Sequence, residues 1–223
     1  MTGLIVPPGE GRKLITPMQE VTFKVTAADG SAISVFEVVV PPGFDVGAHS
    51  HLRSQELFYV LDGELELLAF EPLKRTEDSW HDWESPEGDR AVRARAGACM
   101  FVPPGTPHAF RNPTDRPARM LFQSAPSPDH EHYFEEICQI FDAGGPPSRE
   151  AVQELRDRYD VTQITPLRFE PPGAATPPTS PERAATPPKP AKAFPKSAAA
   201  PVGTPAATDQ PGDRVTETER AAR

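Results

Sequence analysis

The sequence contains little cysteine and no long apolar run, and both shortages limit what the protein can be. Only Cys99 and Cys138 occur among the 223 residues, so the chain can form one disulfide at most. No stretch of about 18 apolar residues is present, which argues against a membrane-spanning helix. The N-terminal segment also lacks the apolar core of a secretory signal. We therefore expect reduced thiols in a cytoplasmic protein.

Positive charge is in the minority as well. The 23 lysines and arginines are outnumbered by 32 aspartates and glutamates, which gives a formal net charge of −9. A chain of this charge lacks the positive field that attracts nucleic acid, so neither nucleic acid nor a membrane is expected as a partner. Proline is abundant instead: 29 residues are too many for a helix bundle, because each interior proline costs about 3 kcal/mol. The composition favours short strands joined by turns.

Large apolar side chains nearly disappear after residue 170. Residues 171–223 contain 12 prolines and 13 alanines, and their only large apolar side chains are Phe194, Val202 and Val215. Burying these would yield about 1.5–3 kcal/mol each, whereas ordering the backbone costs about 1–2 kcal/mol per residue. The sequence therefore predicts one folded domain over 1–170, with its core at about 20–125, and a disordered Ala/Pro-rich tail over 171–223.

Short apolar segments bounded by turn signals recur through the first part of the chain. Asp62-Gly63 separates two of them and predicts a hairpin, because both residues tolerate a positive φ. The pattern predicts eight strands: Val21–Ala27, Ile33–Val40, Glu56–Leu61, Glu64–Phe70, Ala91–Ala96, Ala98–Pro103, Pro107–Asn112 and Ala118–Ser124.

Helical periodicity appears only after residue 128. Phe134, Ile137 and Phe141 fall on one helical face, and a second helix is predicted to follow Ser148 as its N-cap. Eight short strands followed by two short helices predict an all-β domain, a small barrel or sandwich with a helical cover.

Four residues could converge on a metal ion. His49 and His51 are two positions apart, so on extended backbone their imidazoles point to the same face. Glu56 begins the next predicted strand, and His108 begins a strand far along the chain, after a Pro-Pro-Gly turn. Three imidazoles and one carboxylate make a plausible site for a divalent transition metal.

The other histidines are predicted to lie outside this site. His130 and His132 share the spacing of two, but at a helix start such residues lie about 200° apart and cannot both ligate. We expect both at a solvated helix start. His81 is expected to be exposed in the polar segment 71–90, where Trp80 and Trp83 either form a lid or anchor the loop.

The spacing of these residues resembles the two motifs of the cupin superfamily. The first motif is Gly43, five residues, His49-Ser50-His51, four residues, Glu56, six residues and Gly63. The second is Gly97, five residues, Pro103, one residue, Gly105, two residues, His108, three residues and Asn112, with residues 64–96 between the motifs.

The resemblance implies a jelly-roll barrel, a double-stranded β-helix that is often a homodimer. It also implies a divalent metal held by His49, His51, Glu56 and His108, and the ligand types leave iron, manganese, nickel and cobalt open. Four protein ligands on a six-coordinate ion leave two positions for substrate or dioxygen. The layout is also similar to bacterial single-domain flavonol (quercetin) dioxygenases, which implies that Glu56 is both a ligand and the catalytic base.

Strand alternation identifies candidate pocket walls. If Glu56 and His108 point inward, so do Phe58 and Phe110. We expect Phe122 on the last strand to join them. These aromatics either fill the core or line a cavity for a flat organic substrate. We expect a metal-dependent oxygenase acting on a small enol or phenol. The alternatives are a non-oxidative cyclase, isomerase, decarboxylase or lyase, and a non-catalytic small-molecule-binding protein.

The ligand set gives a first prediction. His51→Ala and His108→Ala should abolish metal retention, measured by elemental analysis of purified protein, while His130→Ala should retain the metal. Affinity should also fall below about pH 6, because an imidazole must be neutral to bind a metal. Equal loss in all three variants would mean that the wrong histidines were assigned.

Overall fold

The computed structural model describes residues 3–16, 19–127, 129–142 and 148–169. All of them belong to the structural unit Met1–Pro177. The tail 171–223 lies outside the described residues, so its disorder stays a prediction. Within the described ranges, no helix has the length and apolar character needed to cross a membrane.

Six antiparallel strands form the first sheet. Its long central strands alternate inward and outward side chains: in Ser34–Val40, for example, Phe36, Val38 and Val40 are buried and the residues between them are partly exposed. In spatial order the strands are β1 (Arg12–Ile15), β2 (Glu20–Val25), β3 (Ser34–Val40), β11 (Ala118–Ala125), β6 (Gln55–Asp62) and β9 (Cys99–Val102).

Seven shorter strands form the second sheet around β10 (His108–Arg111). Along one side β10 pairs with β7 (Glu64–Ala69), and along the other it pairs with β4 (Phe44–Asp45) and β5 (His49–Ser50). The sheet is completed by β8 (Val92–Arg95) beside β7, β12 (Thr162–Gln163) beside β5, and β13 (Arg168–Phe169) beside β4. The predicted all-β jelly-roll architecture is confirmed.

The apolar faces of the two sheets meet in one aromatic-rich core. Phe122 stacks on Phe36 and on Phe58, with ring centroids 5.5 and 5.0 Å apart. Stacked aromatic pairs of this kind contribute about 0.5–1.5 kcal/mol beyond the area they bury. The packing fixes the inner face of β6 and β11, which carry residues of the candidate site.

All eight predicted strands are present, with ends within two residues of those expected. The sequence did not predict β1, β4, β5, β12 and β13. Four of these strands have only two residues, and in β1 only Leu14 is partly buried, so none of them shows an alternation. Strands β12 and β13 change the topology, because after the helices the chain returns to the second sheet. The predicted core at 20–125 did not include this return.

Two helices, α1 (His130–Asp142) and α2 (Arg149–Arg158), follow β11. Ser148 caps α2 as predicted, since its Oγ accepts a hydrogen bond of 3.2 Å from the Ala151 amide. Phe134 packs against the core and Ile137 is partly buried, as the periodicity indicates. The side chain of Phe141 lies outside what the structure describes.

The loop between β7 and β8 is anchored by its two tryptophans. Trp80 and Trp83 are buried in a second apolar cluster with Leu68 and Ala109 of the sheet beneath. The Trp80 indole donates a hydrogen bond of 2.8 Å to Asp45 Oδ1. Of the two roles left open by the sequence, anchoring is therefore the one the structure supports.

Gly63 corrects one sequence prediction and gives a stability prediction. Asp62-Gly63 was predicted to close a hairpin, but β6 pairs with β9 and β11 and β7 pairs with β8 and β10, so the turn passes the chain from the first sheet to the second. Gly63 has φ +77°, and a Cβ there would lie 2.9 Å from Cα and Cβ of Ala118. Gly97 has φ +92° but open space around a Cβ. Gly97→Ala should cost about 1 kcal/mol from backbone strain alone, and Gly63→Ala at least about twice that, because the neighbouring backbone must also shift. Denaturant unfolding measures both; equal losses would contradict the close approach.

Candidate metal centre

Strand register brings the two cupin motifs together. His49 on β5 and His108 on β10 are directly paired across the second sheet, and their ring centroids lie 4.2 Å apart. His51 follows β5, with its ring 5.3 Å from that of His49 and 5.4 Å from that of His108. Glu56 enters from β6 of the opposite sheet. Four side chains separated by up to 59 positions in sequence therefore meet inside the barrel, and all four are buried.

The spacing of their ligand atoms fits a single ion. One donor atom from each of the four residues lies within 4.8 Å of all the others. Glu56 Oε1 is 3.2 Å from His51 Nε2, and Glu56 Oε2 is 2.9 Å from His108 Nε2. Around a six-coordinate ion with bonds of about 2.1 Å, neighbouring ligands lie about 3.0 Å apart and opposite ligands about 4.2 Å.

Backbone carbonyls fix the tautomer of all three imidazoles. Nδ1 of His49 bonds to the Gly47 carbonyl at 3.0 Å, Nδ1 of His51 to the Asp160 carbonyl at 2.9 Å, and Nδ1 of His108 to the Thr106 carbonyl at 3.1 Å. Because a carbonyl oxygen only accepts, each Nδ1 donates its proton and each neutral ring keeps its lone pair on Nε2. This is the orientation in which histidine ligates a metal.

Two buried atoms at the centre have no hydrogen-bond partner. Glu56 Oε2 and His108 Nε2 lie 2.9 Å apart, but with the His108 proton on Nδ1 both atoms are acceptors, so no hydrogen bond joins them. A buried polar atom without a partner is costly, and a cation between the two would satisfy both. This observation, with the donor set, supports a fit between these residues and a divalent transition metal.

The electrostatics keep His49 and Glu56 in their metal-binding forms. Burial, together with the neighbouring imidazoles of His108 and His51, holds the pKa of His49 well below 6.5. For Glu56, burial favours the neutral acid, but the adjacent His51 and His108 outweigh it and lower the pKa of the carboxyl. A neutral imidazole beside an ionised carboxylate is what metal coordination requires.

His130 corrects the sequence prediction. It was expected at a solvated helix start, but it is buried at the beginning of α1, with its Nε2 3.7 Å from Glu56 Oε1 and its ring packed on Phe122. It lies outside the four-residue cluster, so the expectation that His130→Ala retains metal still stands. The signal was present: His130 is four residues before Phe134, on the predicted apolar face.

The other two histidines lie away from the site. His132 is exposed, as expected, and its Nδ1 lies 2.7 Å from Asp129 Oδ1. His81 was expected to be exposed but is half-buried, because its Nε2 lies 2.7 Å from Asp45 Oδ2 beneath the tryptophan loop. Burial alone would raise the pKa of Asp45, but hydrogen bonds from His81 and Trp80 lower it.

An apolar cavity of about 90 Å³ opens on the cluster. Phe58, Phe110 and Phe122 line it, as strand alternation predicts, and His49, His51, Glu56 and His130 form its metal-centre end. The sequence did not indicate four further lining residues that come from the helices and the returning chain: Tyr133, Arg156, Val161 and Gln163. No spacing rule connects these residues to the two motifs, which end at Gly63 and Asn112.

The buried imidazoles give a prediction for the metal-free protein. Burial, partly opposed by Glu56, lowers the pKa of His130 from 6.5 to about 4. Between these values the unfolded chain binds a proton that the folded chain does not, so the free energy of unfolding decreases as the pH falls. His130 alone should lower it by about 2 kcal/mol between pH 7 and pH 5. Denaturant unfolding in the presence of a chelator measures this loss of unfolding free energy. The loss should be smaller in His130→Phe.

His132 provides the control for this prediction. Its exposed ring donates a hydrogen bond to the Asp129 carboxylate, which raises the pKa of His132, so any stability it adds is present at low pH and lost as the pH rises. His132→Gln should therefore leave the loss of stability at acid pH in place. If His130→Phe and His132→Gln reduced the loss of stability at acid pH equally, the assignment of that loss to His130 would be contradicted.

Several known proteins are similar to this chain. An uncharacterized protein of Methanocaldococcus jannaschii is 30% identical over 98 residues, which cover 44% of this chain and 64% of that relative. A predicted oxalate decarboxylase of Thermotoga maritima is 21% identical over 55% of this chain and 98% of its own, with a TM-score of 0.42. The polyketide cyclase RemF of Streptomyces resistomycificus is 19% identical over 60% and 94%, with a TM-score of 0.43.

A family model settles the classification. The model described as cupin matches residues 12–139, more than half of the chain and the whole span of both motifs. The two antiparallel sheets and the buried His-His-Glu-His cluster are the structural counterpart of that match. The chain belongs to the cupin family.

Proposed function

We propose that this cupin is a metal-dependent oxygenase that acts on a small enolic or phenolic molecule. The observation that carries the proposal is the convergence of three imidazoles and one carboxylate on one point at the end of an apolar cavity. A structural metal site is normally closed, whereas this cluster faces a space that a substrate can enter. Its ligands would be His49, His51, Glu56 and His108.

The cavity favours a flat organic substrate. Its walls carry Phe58, Phe110 and Phe122, and the inner space of about 90 Å³ has room for a small ring or planar chain. Aromatic walls offer stacking and exclude water, which strengthens the electrostatic interactions at the polar end. A sugar would leave many hydroxyl groups without partners on such walls.

A bound divalent ion would supply Lewis-acid activation of a substrate oxygen and, if redox-active, electron transfer to dioxygen. Glu56 is ionised at neutral pH, so its carboxylate can also accept the acidic proton of an enol or phenol. His130 faces the same cavity as a neutral ring and can exchange hydrogen bonds with the substrate. The phenylalanines orient the substrate and keep water from the reacting atoms.

Oxygen uptake tests the proposal. Protein purified without added metal should contain one divalent ion per chain and consume dioxygen with members of a flavonol, catechol and 1,3-diketone panel. With equal metal content, Glu56→Gln should lower the rate by about 100-fold or more, because general-base catalysis contributes about 10²–10⁴-fold. His132→Gln, which changes an exposed histidine outside the site, should keep the wild-type rate.

The same assay separates the alternatives. Product formed from the panel without dioxygen would contradict the oxygenase and indicate a non-oxidative metalloenzyme. Thermal stabilisation by a ligand with no product under either atmosphere would indicate a binding protein. A homodimer, expected from the cupin resemblance, stays a prediction.

A further inference from the structure

The inner cavity continues into a larger groove. The groove has a volume of about 650 Å³ and lies between the end of the barrel, the two helices and the returning chain near Leu167. A substrate can therefore extend from the metal centre into the groove. The two spaces share six lining residues: Gln19, Val46, Tyr133, Phe134, Arg156 and Leu167.

Arg156 is the charged group at this junction. It lies in the last turn of α2, and among the described lining residues of the groove it is the only charged side chain. Besides Arg156, the charged or titratable side chains that line the inner cavity are Tyr133, Glu56 and the histidines of the metal-centre end. One permanent positive charge therefore faces a passage whose walls are mostly apolar.

The guanidinium of Arg156 has no carboxylate partner among the described residues. Its Nε is buried without a hydrogen bond. Arg158, two residues further on, instead pairs with Glu136 at 2.6 Å. The Tyr133 hydroxyl is the polar group beside Arg156. Burial raises the pKa of Tyr133, and the neighbouring Arg156 partly opposes that shift.

The Gln163 side-chain amide in the inner cavity already donates to the carbonyls of Thr165 and Val46, at 2.7 and 3.2 Å. Arg156 is half-buried, and its buried Nε is a donor at the junction without a partner. A partly buried cation without an anion is costly, and a planar guanidinium binds a carboxylate through two parallel hydrogen bonds.

We propose that Arg156 binds a carboxylate of the substrate, whose enol or phenol oxygen points to the metal centre; this inference rests on the proposed function and narrows it to aromatic or unsaturated carboxylic acids. The apolar walls between the two polar ends accommodate the body of such a molecule. One guanidinium balances a single negative charge, so a phosphate dianion would keep an uncompensated charge among apolar side chains.

Binding of a matched pair of probes tests this inference. The probes are 4-hydroxycinnamate and its methyl ester, which share the phenol and differ in charge. Isothermal titration calorimetry uses the full chain loaded with Zn²⁺, which is redox-inactive, so no turnover occurs. Wild type should bind the acid at least about tenfold more tightly than the ester, because a hydrogen bond to a charged group is worth roughly that factor or more.

Variants assign the preference to Arg156. Arg156→Gln should weaken acid binding about 10- to 100-fold and leave ester binding within about threefold, which also shows that the cavity is intact. Arg156→Lys should recover part of the acid preference, since it keeps the charge but loses the two-pronged geometry. Arg158→Gln, the matched control on the same helix, should bind both probes as wild type does.

The outcomes that overturn the inference are distinct from a failure of the oxygenase proposal. Equal affinity of wild type for acid and ester, no binding of the acid, or an unchanged preference in Arg156→Gln would each overturn it. An acid preference lost in Arg156→Gln supports it even if no member of the oxygenase panel consumes dioxygen, and in that case only the oxygenase proposal is contradicted.

Discussion

The structure depends on the burial of one ionised carboxylate among three imidazoles. Glu56 is 2% exposed and His108 is fully buried, so neither can rely on water for solvation. Three Nδ1–H groups are already committed to backbone carbonyls, which leaves the Nε2 lone pairs and the carboxylate turned toward one another. These buried polar atoms lack a partner unless a cation binds between them. The chemistry of the protein follows from that constraint.

The jelly roll meets this constraint through short strands in fixed register. Pairing of β5 with β10 places His49 beside His108, while the opposite sheet contributes Glu56. The returning chain completes the support: the Asp160 carbonyl orients His51, and Thr165 accepts a hydrogen bond from the Ala48 amide at 2.8 Å. The segment after the helices is therefore part of the centre, although it follows the barrel by about 40 residues in sequence.

The passage has polar groups at both ends and aromatic walls between them. The inner end carries a carboxylate and imidazoles, and the outer junction carries Arg156, whose buried Nε has no hydrogen-bond partner. Helices α1 and α2 contribute Tyr133 and Arg156 to the outer junction, so elements outside the cupin strands shape that end of the cavity.

The sequence by itself determined the eight predicted strands and the two helices, because periodicity and turn chemistry are local properties of the chain. It also determined the four converging residues, His49, His51, Glu56 and His108, because they fall at fixed positions in two motifs, although these motifs lie far apart in the chain. Tertiary structure alone decided where the helices pack. It placed His130 against Phe122 in the interior and brought Arg156 to the passage, since the packing of a helix depends on contacts between residues far apart in sequence. The two-residue strands β12 and β13 have no periodic signal, and they form only because the second sheet offers unpaired backbone groups at its edges.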